Sequence, residues 1–594
     1  MLHLPDELIL HIIASADLEL AELVTLQHVS RQFLNLSRDN RLWKQLCFAH
    51  SATERRRRRL ETTSTAPPAD ADPRLADLIE AANRLAGSLD VSVHDARAPD
   101  AEAQVRRSKE RRRAALLSNW DPSSVGERVN WYSEFVQRHG PHRVSWFQDA
   151  GHDGEDGDAV RREATGADML YDANGLAARL VAPLDDGSVS VWDAAAHSSR
   201  LGRVVATSAP GLLSRADRAQ SRAIMTATGA AACVSIDSAR QTGFFAVQDA
   251  LVQVDLHTLQ LVARTPFASP VTALSDAHPA TPLTVGTNWS LHLHDPRAPS
   301  PGPAAALAQP GALSIAHTPS LGDSNGPIWA AGRFPSLLNY DRRFFPRLRG
   351  ALYTGTRTAC LALLPTPLVP PSLRLTAPPE ALVAARHASG ITLAAAGAYK
   401  GRGALDLYSL SSSPERAINS ADAGTARNPG ACARNRQTAG RAALLGVAPH
   451  GTRIVCCDGA GEVRWVERDG WSAVRAFNIN DVDGACTGRG DMVQRLIPTL
   501  SPSLVTPETA PQGSRPPALG TENLVLWTGD GRLGMLGFGR AGLFDEDVFA
   551  DALEWQVGAD EVDARALERE YGREMRRALE MQAREVRWLE GYGL

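Results

Sequence analysis

The chain has 594 residues, 43 % of them hydrophobic and 22 % charged, so it can bury a sizeable core. Its 63 Lys and Arg against 67 Asp and Glu leave a formal net charge of −4, which argues against a chain built mainly to bind nucleic acid. Seven cysteines in this length do not make a disulfide scaffold, no secretory leader is expected from the opening residues, and no apolar run reaches bilayer-spanning length. The expectation is a soluble cytoplasmic or nuclear protein with reduced thiols and no membrane partner.

The first fifty residues are dense in helix signals. Pro5 suits a first helical turn, where its missing N–H would have had no partner. Asp6 and Glu7 place negative charge at the positive end of the helix dipole. Leu8, Ile9, Ile12 and Ile13 recur at helical spacing, followed by Leu20, Leu23, Val24 and Leu26, then Val29, Phe33 and Leu36. Asn40 is placed to cap a last short helix carrying Leu42, Trp43 and Leu46. So small a unit has little core and needs a covering surface, either the rest of the chain or a partner; periodicity does not separate the two.

In order along the chain, Leu4-Pro5, Glu7, Ile9 and Ile12, then Leu23, Leu26, Val29-Ser30-Arg31 and Phe33, then Leu36, Asp39 and Leu42-Trp43 resemble the F-box family. Phe33 departs from the tryptophan frequent there, and Ala14 to Leu20 lacks the usual bulky residue. The resemblance implies docking on the adaptor Skp1 and, through it, on a cullin-RING ubiquitin ligase. On that reading Leu4, Pro5, Leu8, Ile9, Ile12, Leu23, Leu26, Val29, Leu42 and Trp43 divide between the small core and the adaptor contact.

Residues 51–119 change character. Arg55 to Arg59 form an unbroken basic run, a Thr/Ala/Pro/Asp-rich stretch follows, a modest helix is placed from Arg74 to Leu85, and a second basic run ends at Arg113. Few apolar residues oppose these charges, so the segment reads as a solvated linker, with a nuclear-import signal or RNA-binding arm as the functional rival. Over 120–140, Trp131, Phe135 and Val136 predict a linker helix, as in many F-box proteins.

From about residue 141 to 558 short alternating strands replace the helical period. The clearest unit is Leu180 to Asp193, where Asp186-Gly187 is a strong two-residue hairpin signal. Similar hairpins follow at 244–256, 283–295, 328–341, 393–410, 453–467 and 523–538, with the excess length in insertions at 297–311, 365–380, 411–440 and 498–518. Trp192-Asp193 resembles the dipeptide of WD40 repeats, and Asp255, Asp295 and Asp341 stand 40 and 46 residues apart, close to one blade. The fold expected is α+β multidomain: a small helical F-box, an all-β propeller of about seven WD40-like blades, and a C-terminal helix over 559–594 carrying a broken apolar stripe.

Catalytic signals are missing. The sequence holds no phosphate-cradling loop, no G-x-S-x-G, no H-E-x-x-H and no zinc-type cysteine spacing, so no catalytic residue, metal or cofactor is assigned. Arg333, Arg342, Arg343, Arg386 and Arg402 are the candidates for holding a negatively charged, phosphorylated target, because guanidinium groups grip phosphate bidentately. The reading is a substrate receptor of a Skp1–cullin–F-box ligase; a propeller scaffold with a structural F-box-like cap is the alternative.

Overall fold

The computed structural model describes residues 4–16, 18–65, 114–153, 159–214, 231–278, 281–295, 297, 302–309, 311–319, 326–370, 373–374, 379–411, 417–418, 428, 430–481, 491–501, 517–539 and 543. The helix expected from Arg74 to Leu85, the second basic run and the helix expected over 559–594 lie outside these residues.

Five helices open the chain: α1 (Asp6–Ser15), α2 (Leu20–Gln27), α3 (Arg31–Ser37), α4 (Asn40–Ala49) and α5 (Ala52–Thr65). Each start has a local cause. Asp6 and Glu7 occupy the first turn of α1 behind Pro5. Glu19 and Glu22 form a reciprocal capping box on α2. Ser30 accepts from Phe33 N at 3.2 Å to start α3. Asp39, and not Asn40, caps α4 by accepting from the amides of Arg41 and Leu42 at 2.9 and 3.0 Å. The Asn40 side chain instead reaches away from its own helix, where its Oδ1 accepts from Trp131 N at 3.0 Å. That bond ties α4 to the linker helix α6 (Trp131–His139), which Asn130 caps.

The rest of the described chain is a ring of seven four-stranded antiparallel sheets. Its first strand is β1 (His142–Trp146), followed by a small hairpin of β2 (Gly151–Asp153) and β3 (Ala159–Arg161). Blade 1 is β4 (Asp168–Tyr171), β5 (Ala177–Pro183), β6 (Val189–Asp193) and β7 (Val204–Thr207). Blade 2 is β8 (Ala231–Asp237), β9 (Thr242–Val247), β10 (Ala250–Asp255) and β11 (Gln260–Pro266). Blade 3 is β12 (Val271–Leu274), β13 (Leu283–Thr287), β14 (Ser290–His294) and β15 (Ala304–Ala306). Blade 4 is β16 (Ala312–His317), β17 (Ile328–Gly332), β18 (Ser336–Tyr340) and β19 (Leu348–Tyr353). Blade 5 is β20 (Arg357–Leu364), β21 (Gly390–Tyr399), β22 (Arg402–Ser411) and β23 (Cys432–Gly440), with helix α7 (Pro379–His387) inserted after its first strand. Blade 6 is β24 (Leu444–His450), β25 (Arg453–Asp458), β26 (Glu462–Glu467) and β27 (Ala473–Asn478). Blade 7 is β28 (Val493–Pro498), β29 (Leu524–Thr528) and β30 (Leu533–Phe538), completed by β1.

The ring closes by pairing its two ends. β1 runs antiparallel to β30, with Val144 opposite Leu536, so the strand after the linker helix is the outer strand of the last blade. Completing the last blade with a strand from before the first ties the two ends of the ring together. All seven hairpins read from the sequence are the middle two strands of successive blades. The turn at Asp186-Gly187 shows why they were visible: Gly187 has φ +78°, and Asp186 Oδ1 accepts from Ser188 N at 2.9 Å. Two predicted insertions contain more order than expected, since 304–306 and 432–440 supply the outer strands of blades 3 and 5. The interfaces between blades carry the core: Leu352, Leu361, Trp329 and Tyr408 pack between blades 4 and 5, and Val455, Trp465, Leu496 and Leu526 between blades 6 and 7. Cys456 and Cys457 are free, buried thiols of β25. No helix among the described residues is long and apolar enough to cross a membrane.

Candidate functional site

The helical domain has a core of very few residues: Ile13, Leu23 and Leu36, with Ile9, Leu10, Leu26, Phe33 and Leu42 packed partly against them. Helical periodicity then decides what is left outside. Leu8 and Ile12 lie one turn apart on one side of α1, Leu4 stands ahead of the helix before Pro5, and Leu4, Leu8 and Ile12 remain 51 %, 50 % and 53 % exposed. Pro5 is exposed beside them, and Val24 in the middle of α2 and Val29 just past its end are also bare. The ten residues singled out in the sequence therefore separate. Leu4, Pro5, Leu8, Ile12 and Val29 form the uncovered set; Ile9, Leu26 and Leu42 are half-buried; Leu23 and Trp43 are interior.

Trp43 has an internal role. Its indole N–H donates to Ser37 O at 2.6 Å, and its ring meets Tyr132 and Phe135 of α6 edge-on at 4.9 and 5.0 Å. It belongs with Cys47, Phe48, Trp120, Trp131 and Leu519 to an aromatic cluster lying between the helical domain and the ring. Truncating so large a buried side chain costs about 3–5 kcal/mol. Trp43→Ala is therefore expected to loosen the helical domain itself, seen as faster proteolysis of residues 4–50 with the ring intact; an equally resistant variant would contradict the placement.

Below that cluster, charge replaces grease. Glu134 of α6 lies 3.0 Å from both Arg138 Nε and Arg453 Nε, and Arg138 also pairs with Glu467 at 2.6 Å, all of them buried. Thr452 Oγ1 donates to Glu134 at 2.6 Å, Arg138 Nη2 donates to Thr452 Oγ1 at 2.9 Å, and Gln137 donates to Glu522 O at 2.7 Å. Burial pushes the Glu134 carboxyl up, but Arg453 and Arg138 outweigh it and hold the group at about 2. Around this centre Arg468 pairs with Glu127 at 2.7 Å, Lys44 with Asp121 at 2.6 Å, and Arg374 donates to Trp120 O at 3.0 Å. The acceptors and donors on the ring side come from the first and third turns of blades 5, 6 and 7, so the helical domain sits on that face. The other face, formed by the middle turns and the crossings between blades, is left uncovered by it.

His450, buried beside Arg453 and Trp465, carries a pH consequence. Burial and then the Arg453 charge push its pKa down to about 3. Unfolded, it would titrate near 6.5. Because the folded value is the lower one, stability present above about pH 6.5 is lost as pH falls toward 3. Glu134 adds a loss from its ordinary 4.5 toward 2. Asp168 in blade 1 and Asp491 beside blade 7 are raised to about 6, chiefly by burial, and act in the opposite sense. The readout must be local: amide protection of α6, corrected for intrinsic exchange, is expected to fall between about pH 6.5 and pH 5 relative to blade 2, and constant relative protection would contradict this.

The five arginines do not converge. Arg386 of α7 donates to the carbonyl of Asp121 at 2.6 Å and holds the stretch leading to α6. Arg342 and Arg343 stand in the third turn of blade 4, on the face that carries the helical domain; Arg333 and Arg402 stand in middle turns, on the opposite face. Arg402 lines a groove between blades 5 and 6 together with Gln437, Thr438, Arg441 and Arg464. Arg464 is paired with Glu462 at 2.6 Å. The sequence offered no signal for Arg441 or Arg464, because they meet Arg402 only through the blade 5–6 crossing. Among the described residues no group of three or more His, Cys, Asp or Glu is placed to hold a metal ion.

A family model described as F-box-like matches residues 1–49. No curated protein matches the chain. The protein thus carries an F-box-like domain at its amino end, followed by a seven-bladed β-propeller. That architecture is typical of adaptor and receptor proteins.

Proposed function

We propose that this chain is the substrate-recognition subunit of a Skp1–cullin–F-box ubiquitin ligase, with a WD40-type propeller holding the target. The observation that carries the reading is the bare apolar ridge of Leu4, Leu8 and Ile12 on a domain whose opposite side is fixed to the propeller. An apolar ridge on so small a domain is stabilised by a covering polypeptide, and F-box domains generally bind Skp1-like adaptors. The mechanism is proximity: holding a target lysine beside a charged conjugating enzyme raises its effective concentration, and the chain itself makes and breaks no bond. The groove of Arg402, Arg441 and Arg464 would suit a phosphorylated target residue. Affinity purification of the full chain followed by mass spectrometry tests the reading. Recovery of Skp1 and a cullin is expected; their absence would overturn it.

A second reading, a protein-interaction scaffold with the F-box-like domain as a structural cap, draws on the depth at which Trp43, Cys47 and Phe48 enter the junction. On that reading the full chain recovers no Skp1, whereas deleting residues 1–50 uncovers the same aromatic cluster on either reading.

A further inference from the structure

We propose that the rim of blade 4 receives an acidic peptide in extended conformation, paired edge to edge with β19. Residues 342–353 hold four arginines and no Asp or Glu, within a chain whose net charge is −4. The carboxylate next to this stretch in the chain, Asp341, is engaged inside its own turn, where Oδ1 accepts from the amides of Arg343 and Phe344 at 3.0 and 3.2 Å. Arg343, Arg347 and Arg349 are exposed. Arg342 is the exception, half-buried and donating to Thr318 O.

Bare apolar surface accompanies the charge. Phe344 and Tyr353 keep 61 % and 67 % of their surface, and Leu348 between them keeps 47 %. Exposed aromatic and arginine side chains together mark protein-binding surface more than either alone. β19 is the last strand of its sheet and pairs with β18 on one side only, so its outer edge offers main-chain donors and acceptors in strand geometry. Every blade has an outer strand, but the combination is particular. Blade 2 also bares Leu261 and Val262 on β11, yet its Arg264 donates to the carbonyls of Leu213 and Ser214.

The edge argues for a peptide over single-stranded RNA. A nucleic acid would use the arginines and aromatic rings but would leave the strand's backbone groups unpaired, and the chain's overall negative charge opposes a polyphosphate. An acidic extended peptide uses all three features: main-chain pairing for affinity, arginines for steering, and Phe344, Leu348 and Tyr353 for apolar contact. This deepens the receptor reading by naming the chemistry of a target segment, and rests on that reading only for what the peptide belongs to. It is measured without adaptor, so its failure and that of Skp1 docking are separate results.

The test is fluorescence anisotropy of the full chain with a fluorescein-labelled peptide alternating glutamate and leucine. Saturable binding is expected, weakened about tenfold or more in an Arg347→Glu, Arg349→Glu double variant of unchanged melting temperature. A milder Arg343→Gln, Arg349→Gln variant is expected to weaken binding in the same direction, should the first variant fold poorly. A peptide N-methylated at alternate residues, with its charges intact but those N–H donors removed, is expected to bind about tenfold more weakly. The proposal is overturned by absence of saturable binding, by equal binding in the variants, by equal binding of the N-methylated peptide, or by tighter binding of an oligouridylate probe.

Discussion

Replacing Leu8 and Ile12 together by aspartate is expected to abolish co-purification with Skp1 and leave the melting temperature of the propeller where it was. Both side chains lie about half exposed on the outer side of α1, one turn apart, away from the small core of Ile13, Leu23 and Leu36. Covering the exposed half of each by a partner is worth about 1 kcal/mol. The substitution removes that gain twice and sets two carboxylates against a surface that has to be desolvated on docking. A combined loss above about 4 kcal/mol weakens binding roughly a thousandfold, beyond what a pull-down retains. Retained Skp1 at wild-type yield would show that the ridge is not the docking surface.

The second large effect is at the junction. Glu134→Ala is expected to cost about 3–5 kcal/mol, because it leaves Arg138 with Glu467 as its ion-pair partner and Arg453 buried with only the surrounding charges of Glu522 and Glu467. That is a large share of the roughly 5–15 kcal/mol by which a domain is stable. Loss of the network also frees α6 from the turns of blade 6, so hinging of the F-box-like domain is expected along with the lower denaturation midpoint, read as a broadened distance distribution between labels on the two parts. Replacing Glu134, Arg138, Arg453 and Glu467 together by leucine or methionine removes both the acids and the bases of the cluster and is expected to recover much of the stability. A Glu134→Ala protein within about 1 kcal/mol of wild type would contradict the role given to this cluster.

How much of this was legible in the sequence depends on whether the signal was local. The seven middle hairpins could be read because each joins two apolar strands through a short turn, as at Asp186-Gly187. Outer strands escaped, since strands such as β11, with exposed Leu261 and Val262, carry no clean alternation. β23 was hidden in a stretch whose Ser, Ala and Asn content reads as loop. The closing pair of β1 and β30 joins residues nearly four hundred positions apart, and no local pattern announces it. In the helical domain, periodicity found the apolar residues but not which of them a core of three would leave outside. Asn40 illustrates the limit: by composition it is a cap, but in the fold Asp39 caps the helix and Asn40 reaches Trp131. The arginines read as surface charge divided the same way, because Arg386 is bound to the carbonyls of the 118–121 stretch, a contact made across more than 250 residues.

Rigid attachment on one side of the F-box-like domain and a bare ridge on the other make a single arrangement: a handle held at a fixed angle to a propeller. Light scattering on a gel-filtered equimolar mixture of the purified full chain and Skp1 measures it most directly. One species with the summed mass of a one-to-one complex is the predicted result. Two separate peaks at the masses of the free proteins would contradict it.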